Sequence, residues 1–449
     1  MLLCGQALAG AELRIGKAAV KITPPVGVPM AGYYSIRLAE GTHDDLYAKA
    51  IVYEYAGAKA AIVACDLVGI ERKYVVEARR LIEAATGIRA GNISISATHS
   101  HTGPLLVQRF LDAVDGPTLK LAKEYQAALP AKIAESVKLA NAGLTEARLF
   151  VGMGSEESLS FNRRYLMKDG SVKFNPGKMN PEIVQPVGPT DPDVYVVYAE
   201  SMAGKPLATH VNFAMHLDTV SGTQFSADYA YTIGKILGQV KGPDMMTMFT
   251  IGAAGNVNHV DVKTKERQSG NAEAQRIGTV LAGEAIKTYA RMKPVAAGPV
   301  RVKNEIVKIP LVDVKPDQIA AAKATMETFG KPKQASFLEM VNAMKVLDVA
   351  ERKRDLIEAE VQVIAVGEVA FVSLPGEIFT ELGIAIKKAS PFPLTIVSEL
   401  ANASISYVPN RKAYAEGSYE VISARCAAGC GEALADAAIK MLADLKRGR

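Results

Sequence analysis

The amino-acid sequence predicts an α/β fold in which mixed β-sheets are flanked by helices. Short apolar runs typical of buried strands alternate with longer amphipathic runs typical of helices along the 449-residue chain. Hydrophobic residues make up 49% of the chain and charged residues 22%, which are ordinary values for a globular protein. No apolar run approaches the roughly 20 residues of a membrane span. No basic patch interleaved with aromatic residues indicates nucleic-acid binding.

In the first half of the chain, strands and helices alternate in the order that produces this fold. The predicted elements are strands over 12–23, 48–54, 60–66 and 92–96 with a helix over 74–85, a helix over 119–140, a strand over 147–151, a long loop over 167–193, and strands over 194–198 and 207–213. Pro24 and Pro25 end the first strand, and Gly87 lies in the C-cap region of the first helix.

The second half continues the alternation and adds a helical insertion. The predicted elements are a strand over 245–251, a helix over 272–289, a strand over 300–309, charged helices over 316–328 and 337–358, strands over 361–366, 369–374 and 394–397, a helix over 378–389, a loop over 400–420 and a closing helix over 432–445. The two charged helices predict a surface hairpin, inserted at about 316–358.

The N-terminus and the cysteines bear on the compartment. Residues 1–11 are apolar and end in Ala-Gly-Ala, which is typical of a signal-peptide cleavage site. We therefore expect a signal-peptide remnant, export to the periplasm or beyond rather than the cytoplasm, and one domain over 12–449. Cys65 lies in an apolar run and is expected to be a buried thiol, while Cys426 and Cys430 either pair or stay free.

Two histidines lie where a predicted strand ends. His99 and His101 follow the strand over 92–96, and Gly103 and Pro104 then turn the chain. Residues two apart in an extended chain point to the same face, so both imidazoles can face one pocket. One of them can bind a metal while the other faces the reacting group. A pair of surface loop histidines is the alternative that this spacing leaves open.

Other polar residues also follow strand ends. His216 comes just after the strand over 207–213, and Glu377 lies on the tight turn Pro-Gly-Glu after the strand over 369–374. A loop rich in Gly and Asn, 252–259, follows another strand and is typical of a backbone that approaches a ligand closely. Taken singly, His216 is equally compatible with a core histidine, and Glu377 with a carboxylate in the first turn of a helix.

Four motifs taken in order resemble the neutral, non-lysosomal ceramidase family. They are Ala-Thr-His-Ser-His-Thr-Gly-Pro at 97–104, Phe-Ala-Met-His at 213–216, Leu-Pro-Gly-Glu at 374–377, and the run from Asn402 through Tyr407 to Tyr419. The resemblance implies a ceramidase-like catalytic domain that holds one zinc ion per chain. The implied zinc ligands are His99, His216, Glu377 and Tyr407.

The same resemblance and the loops around it give the other candidate site residues. His101, Arg163 and Tyr419 match catalytic positions, with Tyr407 counted in both sets. Polar residues of the neighbouring loops are the candidate substrate-binding residues: Asn162, Arg164, Asn256 and Asn258. We expect the pocket to be shaped by the loops 162–164, 218–224, 256–259 and 410–419.

The chemistry of the implied ligand set is coherent. Two neutral imidazoles and a carboxylate are typical ligands of a hydrolytic zinc site with an open position. Zinc lowers the pKa of a bound water and polarises a carbonyl oxygen. A tyrosine at the metal, with a nearby histidine or arginine, can stabilise the developing oxyanion.

Two departures from the family pattern bear on the substrate. Asn258 stands where the family has a serine, and an amide is not a usable nucleophile, so a covalent serine mechanism is excluded at this position. The chain also ends about where the family's immunoglobulin-like domain begins, so we expect no such domain. We predict a zinc-dependent hydrolase of an amide or ester bond in a small or polar substrate. Three alternatives are a true ceramidase, a lactonase or esterase, and a non-catalytic binding protein.

Overall fold

A computed structural model describes residues 12–112, 114–331, 333–352 and 356–448. The signal peptide predicted over residues 1–11 lies outside these residues. Among the helices within the described ranges, none is long and apolar enough to cross a membrane.

The strands alternate with helices as the sequence predicts. The strands are β1 Leu13–Lys21, β2 Pro29–Met30, β3 Arg37–Leu38, β4 Gly41–Thr42, β5 Tyr47–Tyr55, β6 Ala58–Cys65, β7 Ile93–Ala97, β8 Thr145–Ser155, β9 Phe161–Asn162, β10 Arg164–Met167, β11 Val172–Phe174, β12 Ile183–Pro186, β13 Asp193–Ser201, β14 Pro206–Phe213, β15 Gln224–Phe225, β16 Met246–Ile251, β17 Val257–Asn258, β18 Lys293–Val295, β19 Val300–Pro310, β20 Leu356–Val366, β21 Val369–Ser373, β22 Glu377–Ile378, β23 Leu394–Ser398 and β24 Tyr407–Val408. The helices are α1 Arg72–Thr86, α2 Gln108–Leu111, α3 Gly116–Ala142, α4 Tyr229–Lys241, α5 Asn271–Tyr289, α6 Pro316–Met326, α7 Phe337–Glu351, α8 Thr380–Ala389, α9 Arg411–Glu416, α10 Tyr419–Ser423 and α11 Cys430–Lys446.

Two mixed sheets form the centre of the molecule. The larger has nine strands in the order β16-β14-β13-β8-β1-β5-β6-β7, with β18 beside β8, and the smaller has the order β19-β20-β21-β23. Each sheet combines antiparallel pairs with parallel ones. The parallel pairs are β6 with β7, β14 with β16, and β21 with β23. The predicted α/β class with mixed sheets is therefore confirmed.

The two sheets pack face to face between two layers of helices, because the strands have apolar side chains on both faces. Helices α1, α3, α4 and α5 cover one face of the larger sheet and bury residues such as Val63 and Val137. The other face of that sheet packs on the smaller sheet, where Ile62 and Phe371 belong to one core. Helices α8 and α11 cover the outer face of the smaller sheet. Strands buried on both sides account for the continuous apolar runs in the sequence.

Three segments differ from the predicted elements. The long loop over 167–193 carries β11 and β12, which pair with β10 in a three-stranded sheet. The loop over 400–420 carries β24 and α9 and extends to the start of α10. The helix predicted from residue 378 begins at Thr380, because Glu377 and Ile378 pair in parallel with β24 instead. These short elements depend on distant partners, so local periodicity gives no sign of them.

The helical insertion is present, with the second helix shorter than predicted. Helices α6 and α7 pack together through Ala322, Ala343 and Leu347. Helix α7 ends at Glu351, and residues from Leu356 onward already belong to β20. Cys65 is a buried free thiol, as expected, and Cys426 and Cys430 form a disulfide.

Candidate metal centre

The candidate ligands lie just beyond the carboxyl ends of strands from both sheets. His99 follows β7, His216 follows β14, and Glu377 follows β21. Backbone hydrogen bonds join the loops around these residues, from the N–H of His101 to the carbonyl of Leu217 at 3.1 Å and from the N–H of Gly255 to the carbonyl of Ile378 at 2.8 Å. His99 has a φ of 75°, a left-handed conformation that costs free energy for a residue other than glycine. Its N–H bonds to the carbonyl of Leu67 at 2.9 Å, which holds the turn in place.

The two histidines and the glutamate meet at one point. Nε2 of His99 lies 3.6 Å from Oε2 of Glu377, and Nε2 of His216 lies 3.4 Å from the same oxygen. Nδ1 of His99 is 2.7 Å from the carbonyl oxygen of Val68, and Nδ1 of His216 is 3.0 Å from that of Ala254. A carbonyl oxygen only accepts, so both Nδ1 atoms donate and both Nε2 atoms carry lone pairs.

The protonation states suit a cation. Burial, together with the charges of Arg163 and His99, lowers the pKa of His216 to about 4. Burial raises the pKa of Glu377, but its contact with His216 and the charges of His99 and His216 outweigh burial and lower that pKa to about 2. At neutral pH this pair is a neutral imidazole and a carboxylate. Nε2 of His216 and Oε2 of Glu377 are buried and make no hydrogen bond.

Tyr407 joins the centre through strand pairing. In the parallel pair β22–β24, Glu377 and Tyr407 are direct partners, although they are far apart in sequence. The Tyr407 hydroxyl accepts a hydrogen bond from Nη2 of Arg163 at 3.0 Å. The Tyr419 ring lies 5.3 Å from the Tyr407 ring. Burial raises the pKa of Tyr407, which keeps its hydroxyl protonated.

His101 lies beside the two candidate histidine ligands. Its Nε2 is 3.2 Å from Nε2 of His99, and the ligand atoms of His99, His101 and His216 all lie within 4.8 Å of one another. Burial, reinforced by His99, lowers the pKa of His101 to about 3, and its buried Nδ1 makes no hydrogen bond. His101 is therefore a further candidate metal ligand, beside Tyr407. Its role as the substrate-facing histidine stays a prediction.

Arg163 and Arg164 are not among the side chains that line the cavity described below. The catalytic role of Arg163 and the substrate-binding role of Arg164 stay predictions. Nε of Arg163 bonds to Glu420 at 2.9 Å, and Nη1 of Arg164 bonds to the other oxygen of Glu420 at 2.9 Å. Nη2 of Arg164 also bonds to Glu416 at 3.0 Å. We call Arg163, Arg164, Glu416 and Glu420 the arginine–glutamate cluster. Both arginines are at most 2% exposed, because these carboxylates compensate their burial.

The three asparagines predicted to bind substrate are also buried and bonded to protein groups. Their contacts are Asn162 with the N–H of Arg164 (3.1 Å) and the carbonyl of Pro189 (3.2 Å), Asn256 with the N–H of Thr380 (2.8 Å) and with Glu381 (2.9 Å), and Asn258 with the N–H of Val260 (3.1 Å) and with Asn175 (3.4 Å). These amides fasten loops to one another. The structure gives their predicted substrate contacts no support.

A cavity of about 730 Å³ opens onto the centre. His99, His101, Glu377, Tyr407 and Tyr419 line its inner end. Its outer wall combines apolar and charged side chains from distant segments, among them Tyr33, Leu105, Phe110, Met344, Asp348 and Arg425. Of the loops expected to shape the pocket, only Tyr419 contributes. Helix α7 forms one wall, so the insertion belongs to the site.

Sequence reasoning missed Glu399, which is fully buried just after β23. Its Oε2 accepts hydrogen bonds from the N–H groups of Ala254 and Ile378. A carboxylate directly after an apolar strand was the available signal, the same one that pointed to Glu377. The carbonyl groups of Val68 and Ala254 were also missed, since backbone acceptors leave no trace in the residue types.

No protein-family model matches the sequence, and no curated protein matches it. Among solved structures, a neutral ceramidase from Pseudomonas aeruginosa superposes with a TM-score of 0.75 at 20% identity, covering 97% of this chain and 75% of that one. A ceramidase complexed with C2 gives a TM-score of 0.74 at 18% identity, covering 97% of this chain and 76% of that one. The resemblance seen in the motifs is thus confirmed for the fold.

Proposed function

We propose that this chain, which has the fold of the neutral ceramidases, is a zinc-dependent hydrolase of an amide or ester bond in a small or polar substrate. One observation carries the proposal. Oε2 of Glu377 lies 3.6 Å from Nε2 of His99 and 3.4 Å from Nε2 of His216, and neither this oxygen nor Nε2 of His216 makes a hydrogen bond. Lone pairs that face one another in a protein interior repel, unless a cation lies between them.

The donor set fits zinc. Two imidazole nitrogens and a carboxylate oxygen are the ligands of many catalytic zinc sites, and Tyr407 lies beside Glu377 as a fourth candidate. The Nδ1–H groups of His99 and His216 donate to backbone carbonyls, which is the usual support of a zinc-bound histidine. When bound, zinc lowers the pKa of a coordinated water and polarises a carbonyl oxygen.

The neighbouring side chains have distinct tasks in this proposal. His101 lines the cavity, so its imidazole can face a polar group of the substrate. The Tyr407 hydroxyl can donate to an oxygen that gains negative charge. Nη2 of Arg163 donates a hydrogen bond to that hydroxyl at 3.0 Å. We therefore assign Arg163 the role of positioning Tyr407, without contact to the substrate.

The cavity supports a substrate of modest size. Its volume of about 730 Å³ is typical of sites for small molecules. Charged groups make part of its wall polar, although Arg425 pairs with Asp348 at 3.1 Å and Arg72 with Glu360 at 3.0 Å. This polar lining suits a polar substrate. The solved neighbours are named ceramidases, and this name favours N-acyl sphingosine as the second candidate substrate.

The test combines metal analysis with a substrate panel. We expect purified protein to contain about one zinc per chain. We also expect it to hydrolyse small polar amides, esters or lactones faster than a long-chain ceramide. His216→Ala should lose both zinc and turnover. The matched control is His210→Ala, since His210 is buried on β14, the strand that precedes His216, and is bonded to Thr250 and stacked on Phe371. Efficient cleavage of ceramide alone would favour the second candidate, and zinc without turnover on any substrate would favour a binding protein.

Export, predicted from residues 1–11, belongs to this proposal. The disulfide between Cys426 and Cys430 supports an oxidising compartment, because such bonds persist outside the cytosol. Fractionation of cells that produce the full chain, with detection of the protein in the periplasm or medium, tests this part.

A further inference from the structure

Glu399 is a buried carboxylate below the candidate metal centre. It is fully buried and follows β23 of the smaller sheet, while its N–H bonds to the carbonyl of Ile251 in the larger sheet. Its Oε2 accepts hydrogen bonds from the N–H groups of Ile378 at 2.6 Å and Ala254 at 3.1 Å, and its Oε1 has no partner. Burying this side chain is unfavourable, and the two hydrogen bonds from backbone N–H groups offset part of that cost.

One of the two N–H donors lies in the segment that carries Glu377, and the other lies in the segment that supports His216. The carbonyl of Ala254 accepts the Nδ1–H of His216 at 3.0 Å, and Ile378 directly follows Glu377. A further bond joins these segments, from the N–H of Gly255 to the carbonyl of Ile378 at 2.8 Å. One carboxylate oxygen therefore fixes the support of His216 relative to Glu377.

We propose that Glu399 is a positioning residue of the metal site. It holds the segments of Ala254 and Ile378 together, so that Nε2 of His216 and Oε2 of Glu377 meet around one cation. It acts through the backbone and does not touch the metal or the substrate. The inference rests on the proposed function, since it assigns Glu399 to the zinc site. Outer partners of metal ligands tune affinity because they fix the direction of the lone pairs.

Two substitutions separate the hydrogen bonds from the size of the side chain. Glu399→Gln keeps an oxygen that can accept both N–H groups, whereas Glu399→Leu keeps the bulk and removes the acceptor. We expect Glu399→Leu to weaken zinc binding by about 10–100-fold, the range for a lost outer partner. We expect Glu399→Gln to stay close to the wild type. Zinc dissociation constants are measured by competition with a chromophoric chelator, and kcat and KM are compared at saturating zinc.

The control variant changes a buried carboxylate that lies away from the metal site. Glu284 lies on helix α5, is 4% exposed and pairs with Lys287 and Arg291. Glu284→Leu should lower stability and leave zinc affinity unchanged. Circular dichroism and thermal unfolding of the metal-free proteins establish that each variant folds. If Glu399→Leu does not fold, Glu399→Asp carries the test, since its shorter side chain cannot reach both N–H groups and should also weaken zinc binding.

Each outcome decides the proposal. Weakened zinc binding in folded Glu399→Leu or Glu399→Asp, with Glu399→Gln near the wild type, supports it. Wild-type zinc affinity in the folded Leu or Asp variant overturns it while leaving the proposed hydrolase intact. Equal weakening in Gln and Leu also overturns it, because charge and not hydrogen bonding would then be responsible. A wild-type protein that binds no zinc overturns the proposed function and this inference together.

Discussion

The candidate metal centre and the arginine–glutamate cluster are neighbours, both buried and both made of ionisable groups. They touch where Arg163 donates to the Tyr407 hydroxyl. In the cluster, each guanidinium bonds to a carboxylate within 3.0 Å. At the metal centre, Oε2 of Glu377 and Nε2 of His216 face each other at 3.4 Å and neither is hydrogen-bonded.

The difference separates scaffold from site. Residues whose polar atoms are all bonded to protein stabilise the fold and have no free bond to offer a ligand. Buried lone pairs that converge without a hydrogen bond cost free energy, and a bound cation would remove that cost. The motif resemblance assigned both Arg163 and His216 to the active site. The structure distinguishes them, because Arg163 is hydrogen-bonded to protein groups whereas Nε2 of His216 has no partner.

The largest expected effect lies in the cluster. Glu420→Ala leaves Arg163 and Arg164 without their main buried partner, so we expect the free energy of unfolding to fall by about 3–5 kcal/mol. Urea denaturation measures this change. The control is Glu416→Ala, because the Glu416 side chain is 18% exposed and contacts only one of these arginines in the cluster. If Glu420→Ala is as stable as the wild type, the cluster is not a scaffold.

The next effect contrasts the metal centre with the cluster. Glu377→Gln should weaken zinc binding by more than about 100-fold, since even outer partners of a metal cost 10–100-fold. The same change should lower the free energy of unfolding of the metal-free protein by less than Glu420→Ala does. Gln keeps the bulk of Glu377, but the folded protein favours the charged carboxylate, since its surroundings lower the pKa of Glu377 to about 2. Chelator competition and urea denaturation give the two numbers. A destabilised metal-free variant with unchanged zinc affinity would assign Glu377 to the scaffold.

His101→Ala should have an effect on turnover alone. We expect the variant to keep its zinc and to lose turnover by roughly 100-fold, the scale seen when a group that stabilises an oxyanion is removed. Metal content and steady-state rates at saturating zinc are the measurements. His101 lies 3.2 Å from His99, so loss of zinc in a folded variant would show that His101 is a ligand.

The smallest effect is expected at Asn258. Asn258→Ser restores the hydroxyl of the family pattern, but the residue is 1% exposed and bonded to Val260 and Asn175. We expect turnover within about threefold of the wild type, which is less than about 1 kcal/mol. A rapid-mixing experiment should show no burst of product. A burst, or a large gain in ceramide hydrolysis, would place this loop in the site.

The sequence determined much of this architecture. Apolar runs with the period of strands and helices gave the α/β class, because burial on one or two faces imposes that pattern directly. Polar residues directly after apolar strands indicated His99, His216 and Glu377, because strand ends place side chains at the rim of a sheet. Tyr407 came only through the family resemblance, since nothing local marks it as a ligand.

Only the tertiary structure decided which polar residues are free to act. Arg163 bonds to Glu420 across 257 positions of the chain, and Asn256 bonds to Glu381 across 125, so no local pattern reveals that they are saturated. The pairing of Glu377 with Tyr407 and the bonds of Glu399 to Ala254 and Ile378 arise in the same way. Residue type sets which bonds a side chain can make, whereas long-range packing sets which of them are already made.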